Sequence, residues 1–141
     1  MCSLFLEING ALWSKLEQGL LTRDEMYALR WSSIFKRLGI QADGFAFDTC
    51  FRERLKQSAE PIAGAVELLQ DLSGKYCLGV ASNGWEIQQR ERLTKSGMLP
   101  FIRYFFFSET IGAWKPDGAF FDACFRALPC AEKEQVLMVG D

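Results

Sequence analysis

Histidine is absent from this chain of 141 residues. That absence excludes Ser-His-Asp and Cys-His nucleophile arrangements and every imidazole metal site. Any chemistry here runs on carboxylates, hydroxyls, lysine and metal held by oxygen. An excess of basic charge is missing too: 16 Lys and Arg stand against 18 Asp and Glu, a formal net charge of −2. Binding a nucleic-acid polymer needs clustered positive charge, so no such partner is expected. Long apolar runs are also lacking, since none approaches the roughly 20 residues that span a bilayer. The leading MCSLFLEINGALW has no basic flank and is interrupted by Glu7 and Asn9. No membrane partner is expected, and a cytoplasmic location is the default. The cysteines, Cys2, Cys50, Cys77, Cys124 and Cys130, include no CxxC pair. They read as small buried hydrophobes in a reducing compartment, not as a disulfide framework or zinc site.

What is present divides in two. Residues 1–58 read as all helix. Leu4, Ile8, Leu12 and Leu16 recur every four residues, a stripe that Gly10 weakens without ending. Thr22-Arg23-Asp24-Glu25 fits a capping box for a helix whose buried side is Met26, Leu29, Ile34, Phe35 and Leu38, with Gly39 closing it. A third helix over 43–57 is expected to bury Phe47, Cys50, Phe51 and Leu55. Trp13 and Trp31 could face a ligand, though helical spacing makes such aromatics core first.

From Pro61 the pattern changes. A helix over 62–72 leads into YCLGVA (76–81), a short apolar run of the kind expected for a strand buried on both faces. SNG turns the chain into a helix over 85–96. YFFF (104–107) is the next strand, a helix over 116–128 follows, and QVLMVGD (135–141) is expected as a third strand. Helices alternating with strands argue for a parallel sheet in an α/β layer.

Open parallel sheets bind ligands beyond the carboxyl ends of their strands. The first strand ends at Ser82-Asn83-Gly84, the loop after the second carries Lys115, and the third ends at Asp141. A hydroxyl, an ammonium and a carboxylate are thus expected on one rim, tools that suit a phosphate and a divalent cation. Ser82 can donate to a phosphoryl oxygen, Lys115 can neutralise it, and Asp141 offers hard oxygen for Mg²⁺. Each signal alone has a plainer reading: Ser-Asn-Gly as a turn, Lys115 as a solvated lysine, Pro116-Asp117 as ordinary helix-start chemistry. Their order, each behind its own strand, argues against coincidence.

VASNG (80–84), SETIGAWKPD (108–117) and VLMVGD (136–141) together resemble the second, third and fourth motifs of the haloacid dehalogenase-like (HAD) phosphohydrolases. The resemblance covers about residues 61–141. SNGWEIQQRERLTKSGM and LWSKLEQGLLTRDEM are most similar to the pyrimidine 5′-nucleotidase branch. The resemblance implies an α/β fold: an incomplete Rossmann-like parallel-sheet core over 59–141 and a partial N-terminal helical cap over 1–58. It further implies hydrolysis of a small-molecule phosphate ester, a nucleoside 5′-monophosphate, through an aspartyl-phosphate intermediate with Mg²⁺. Lys115 and Ser82 would be catalytic, Ser82, Asn83, Gly84 and Lys115 would bind phosphate, and Asp141 would hold the metal.

The chain departs from that family in two respects, a missing nucleophile motif and a stop at Asp141 where the family continues with further acidic residues and more of the fold. The Asp-x-Asp-x-Thr stretch that supplies nucleophile and general acid does not occur; the nearest run, LFLEING (4–10), has Glu7 but neither a second carboxylate nor a hydroxyl. The chain reads as a middle piece, inactive alone. A receiver domain is excluded because its acidic residues precede its Lys-Pro. A haloacid dehalogenase, or a phosphate-binding relic without turnover, stays open as an alternative.

Overall fold

The computed structural model describes residues 2–129 and 132–140. Contacts divide the chain into two compact units, one ending at Ser58 and one starting at Ala59. No helix among the described residues is long and apolar enough to cross a membrane.

The first unit is three helices: α1 (Cys2–Glu17), α2 (Arg23–Leu38) and α3 (Gly44–Gln57). Each boundary has a local cause. Thr22 starts α2 through the capping box: its Oγ1 accepts from Glu25 N–H at 3.3 Å, while its own N–H donates to Glu25 Oε2 at 2.8 Å. Gly39 ends α2 at φ 68°, a left-handed turn whose N–H returns to the Lys36 carbonyl. Asp43 starts α3 by accepting from the Phe45 and Ala46 N–H groups. Trp31, Ile34 and Phe35 form the core, against which Leu4, Phe5, Ile8 and Phe51 pack.

The face that α3 buries differs from the expectation. Cys50 is exposed, Phe47 is 46% exposed and Leu55, in the final turn, is 37% exposed. Gly44 and Asp48 turn inward instead. Asp48 is fully buried because Arg30, itself only 5% exposed, needs a carboxylate there: Arg30 Nε donates to Asp48 Oδ1 at 2.7 Å. Arg52 Nε bonds Asp48 Oδ2 at 2.9 Å, and Arg30 Nη1 reaches Asn9 on α1. One ion cluster therefore joins all three helices and rotates Cys50 to solvent. Leu29 and Leu38 of α2 are likewise partly exposed, because Arg30 and Trp31 take the inward positions.

The second unit contains α4 (Ala65–Ser73), β1 (Gly79–Ser82), α5 (Glu86–Lys95), β2 (Tyr104–Phe107), α6 (Ser108–Ile111) and α7 (Gly118–Ala127). Strands β1 and β2 pair in parallel, with Gly79 opposite Tyr104 and Ser82 opposite Phe107. Phe107, Phe120 and Cys124 are buried here, and the Arg90 guanidinium of α5 lies 4.0 Å from the Phe105 ring centre on β2.

Two strand expectations need correction. Residues 136–140 form no strand, and Leu137 and Val139 are 85% and 81% exposed. Nor is 76–81 buried on both faces: Tyr76 and Cys77 are exposed, and the strand begins only at Gly79. The cause is common to both. A strand exists through its neighbours, and the described sheet has only two strands, so apolar sequence lacks a ladder to join. Asp141 and Cys130 lie outside the described residues.

Candidate functional site

The parallel register places the carboxyl ends of β1 and β2 at one level, because Ser82 and Phe107 are partners. The chain leaves β1 through Ser82-Asn83-Gly84 and leaves β2 directly into α6 at Ser108. Both polar turns therefore depart from the same edge of the sheet.

Asn83 holds this edge together. Its side-chain Nδ2 donates to the Lys115 carbonyl at 2.9 Å, and its Oδ1 accepts from the Lys115 N–H at 2.8 Å. A primary amide and a peptide unit are complementary in this way, so one side chain satisfies both main-chain groups of a residue 32 positions away. The Asn83 carbonyl in turn accepts from Ser108 Oγ at 3.3 Å, and Ser108 is buried. Three segments of the rim, 82–84, 108–111 and 114–117, thus meet at one residue.

Ser82 is set up as a donor. The Gly84 N–H donates to Ser82 Oγ at 3.0 Å, so one lone pair of the hydroxyl is engaged while its O–H stays available. The turn is close-packed at Gly84: a Cβ there would meet the flexible end of the Gln89 side chain and sit 3.1 Å from Ser82 Oγ. Lys115 is half-buried and forms no ion pair among the described residues. Beyond it, Asp117 turns the chain into α7, its N–H donating to the Trp114 carbonyl and its carboxylate accepting from Ala119 N–H.

A second layer braces α5. The Glu86 N–H donates to Glu109 Oε2 at 3.3 Å, Thr110 Oγ1 donates to Glu86 Oε2 at 2.8 Å, and Arg90 Nε donates to Glu86 Oε1 at 2.6 Å. The bond from Arg90 is the main reason, with that from Thr110 next, that the Glu86 carboxyl titrates below its ordinary range.

Of the residues expected at the site, Ser82, Asn83, Gly84 and Lys115 come together on this rim, and Asp141 lies outside the described residues. Among the described residues no cluster of three or more Cys, Asp or Glu side chains is placed to hold a metal. They do not by themselves fit Mg²⁺, which takes octahedral oxygen ligation. The chemistry open to Ser82 and Lys115 is anion binding: one hydroxyl donor and one full positive charge. Ser108, Glu109 and Thr110 enter the rim network from the stretch SETIGAWKPD that carries the third motif, although none of them was singled out as a site residue. A hollow of about 430 Å³ lined by Ser73, Tyr76, Cys77 and Arg103 lies at the opposite, amino-terminal ends of the strands and touches none of these residues.

Comparison with known proteins gives consistent results. Residues 15–141 match the family model described as haloacid dehalogenase-like hydrolase. The chain is 34% identical over 141 residues to HAD-hydrolase YfnB of Bacillus subtilis, covering all of this chain and 60% of that one. It is 32% identical over 138 residues to pyrimidine 5′-nucleotidase PynA of Streptococcus pneumoniae, covering 97% of this chain and 58% of that protein. Over 134 residues it is 28% identical to pyrimidine 5′-nucleotidase YjjG of Escherichia coli, covering 95% and 59%. A crystal structure of YfnB, described as bound to magnesium, superposes with a TM-score of 0.84 over 92% of this chain and 58% of that chain. The chain thus spans about 60% of the length of the relatives it matches.

Proposed function

The chain belongs to the haloacid dehalogenase-like hydrolase family, and on that premise we propose that the full-length protein hydrolyses phosphate monoesters, with a nucleoside 5′-monophosphate as substrate. The observation that carries this reading is the pair of hydrogen bonds between the Asn83 side chain and the Lys115 main chain, one donated by each residue. They set an ammonium-bearing loop beside a serine whose O–H is free to donate, at the carboxyl edge of a parallel sheet. The nucleotide substrate is supported by the likeness to two proteins named pyrimidine 5′-nucleotidases.

In this reading Ser82 donates to one phosphoryl oxygen, and the Lys115 ammonium offsets the charge that accumulates where phosphate meets the attacking carboxylate. An aspartate of the full-length protein attacks phosphorus, the ester P–O bond breaks, and a second aspartate protonates the departing alcohol. That second aspartate then takes a proton from the water that hydrolyses the aspartyl-phosphate. Neither aspartate is present here, since the chain contains no Asp-x-Asp-x-Thr. Mg²⁺ is proposed on the strength of Asp141 and of YfnB being described as magnesium-bound. The helical unit ending at Ser58 is proposed as the family's cap.

The test needs no turnover. Inorganic phosphate is titrated against the 141-residue chain while each lysine is acylated by an amine-selective reagent and read by mass spectrometry. Phosphate is expected to protect Lys115 and to spare Lys75 and Lys95, with Ser82→Ala weakening the protection. Equal acylation of Lys115 with and without phosphate would overturn the reading.

A further inference from the structure

We infer that Asn83 is a positioning residue for Lys115: its side chain fixes the height and direction of the lysine's main chain at the rim, and so the place from which the ammonium meets an anion. This rests on the phosphate-binding reading of the rim.

The side chain of Asn83 is the reason for the inference. A residue that binds phosphate through its side chain presents donors to it. The Asn83 amide instead gives a donor and an acceptor to one peptide residue, at 2.9 and 2.8 Å, with both groups of Lys115 satisfied at once. Only a side chain with a donor and an acceptor a fixed distance apart can do this, which limits the position to an amide. Leucine removes both bonds, and aspartate removes one while facing the Lys115 carbonyl with a second acceptor.

The geometry also explains why a clamp is needed. Lys115 lies between the left-handed Gly112, at φ 77°, and the N-cap Asp117, in a loop with no strand or helix of its own. Among the described residues, both groups of its main chain are tethered by the distant Asn83 side chain. Asn83 is itself held, because its carbonyl accepts from buried Ser108 and the preceding Ser82 closes on Gly84. The clamp therefore stands on the strand β1 and passes that rigidity to the lysine. A lysine has four rotatable bonds, and a wandering main chain would multiply the volume its ammonium explores.

The experiment uses the same acylation assay with Asn83→Ala. The phosphate concentration that half-protects Lys115 is expected to rise about 5- to 10-fold, the loss of a part-buried hydrogen-bonded tether, while acylation of Lys75 and Lys95 stays as in the wild type. Hydrogen exchange adds a readout independent of phosphate: segment 113–117 is expected to exchange faster and α7 to remain as before. If wild-type Lys115 shows no protection, the phosphate reading fails. If it is protected and Asn83→Ala gives the same midpoint, the positioning role alone fails. Should Asn83→Ala unfold the unit, Asn83→Asp replaces it; unchanged exchange of 113–117 in that variant also overturns the inference.

Discussion

The Glu86 carboxylate receives a hydrogen bond from Arg90 at 2.6 Å and another from Thr110 at 2.8 Å. Both favour the ionised form, so the group titrates below the ordinary glutamate value of 4.5. A carboxyl depressed in the folded state gives stability that is fully present above its unfolded pKa and is lost as pH falls through the folded one. The brace between α5 and α6 is therefore expected to hold at neutral pH and to weaken below pH 4.5. A carbon-13 titration of the carboxyl should give a midpoint under that value, and Thr110→Val should move the midpoint back toward it. A midpoint at or above 4.5 in the wild type contradicts the arrangement. At this scale the residue types were legible: Ser82, Gly84 and Lys115 stand out because a strand end precedes them. The bonds of Asn83 were not, because its partner lies 32 residues away and an asparagine after a strand reads as turn chemistry.

At the scale of the helix, the ends were more legible than the faces. Thr22 with Glu25, Asp43 and Gly39 each act through bonds within a few residues, and such local rules survive without tertiary context. The buried face of α3 did not follow from apolar spacing, because a carboxylate occupies its centre. Asp48 is fully buried between Arg30 and Arg52, and the Arg52 guanidinium also stacks 4.2 Å from the Tyr27 ring centre. A buried pair of this kind adds little over a well-packed apolar pair, but removing one partner leaves a charge with no compensation. Asp48→Ala is expected to cost about 3–5 kcal/mol, because Arg30 cannot reach solvent. Arg30→Met combined with Asp48→Leu should recover most of that loss. Thermal melts of the helical unit followed by circular dichroism would measure both, and a single variant as stable as the wild type would show that water reaches Arg30. Close packing sets a further constraint, since a Cβ on Gly44 would overlap the Ser32 main chain.

For the whole molecule, the alternation of helices and strands told the architecture, and the sheet's size was where that reading stopped. Apolar composition marked 135–141 as strand, yet composition cannot supply a neighbour. The outcome is a chain with two unfulfilled apolar features: β1 pairs with β2 along one edge only among the described residues, and Val136, Leu137, Met138 and Val139 are exposed by 40%, 85%, 51% and 81%. Unpaired main-chain groups beside exposed β-branched and aliphatic side chains recruit other chains. The isolated 141-residue chain is therefore expected to self-associate as its concentration rises, and Leu137→Lys with Val139→Lys should suppress this without lowering the melting temperature of the helical unit. Light scattering across a dilution series distinguishes the two: a monomer at every concentration would mean that the segment folds onto something in solution. The same purified chain is expected to release no phosphate from UMP or p-nitrophenyl phosphate with or without Mg²⁺, because Ser82 and Lys115 can hold an anion but cannot attack it. Release that depends on Lys115 would require a nucleophile within the chain, and Glu7, in the run nearest to the absent motif, would be the first residue to replace.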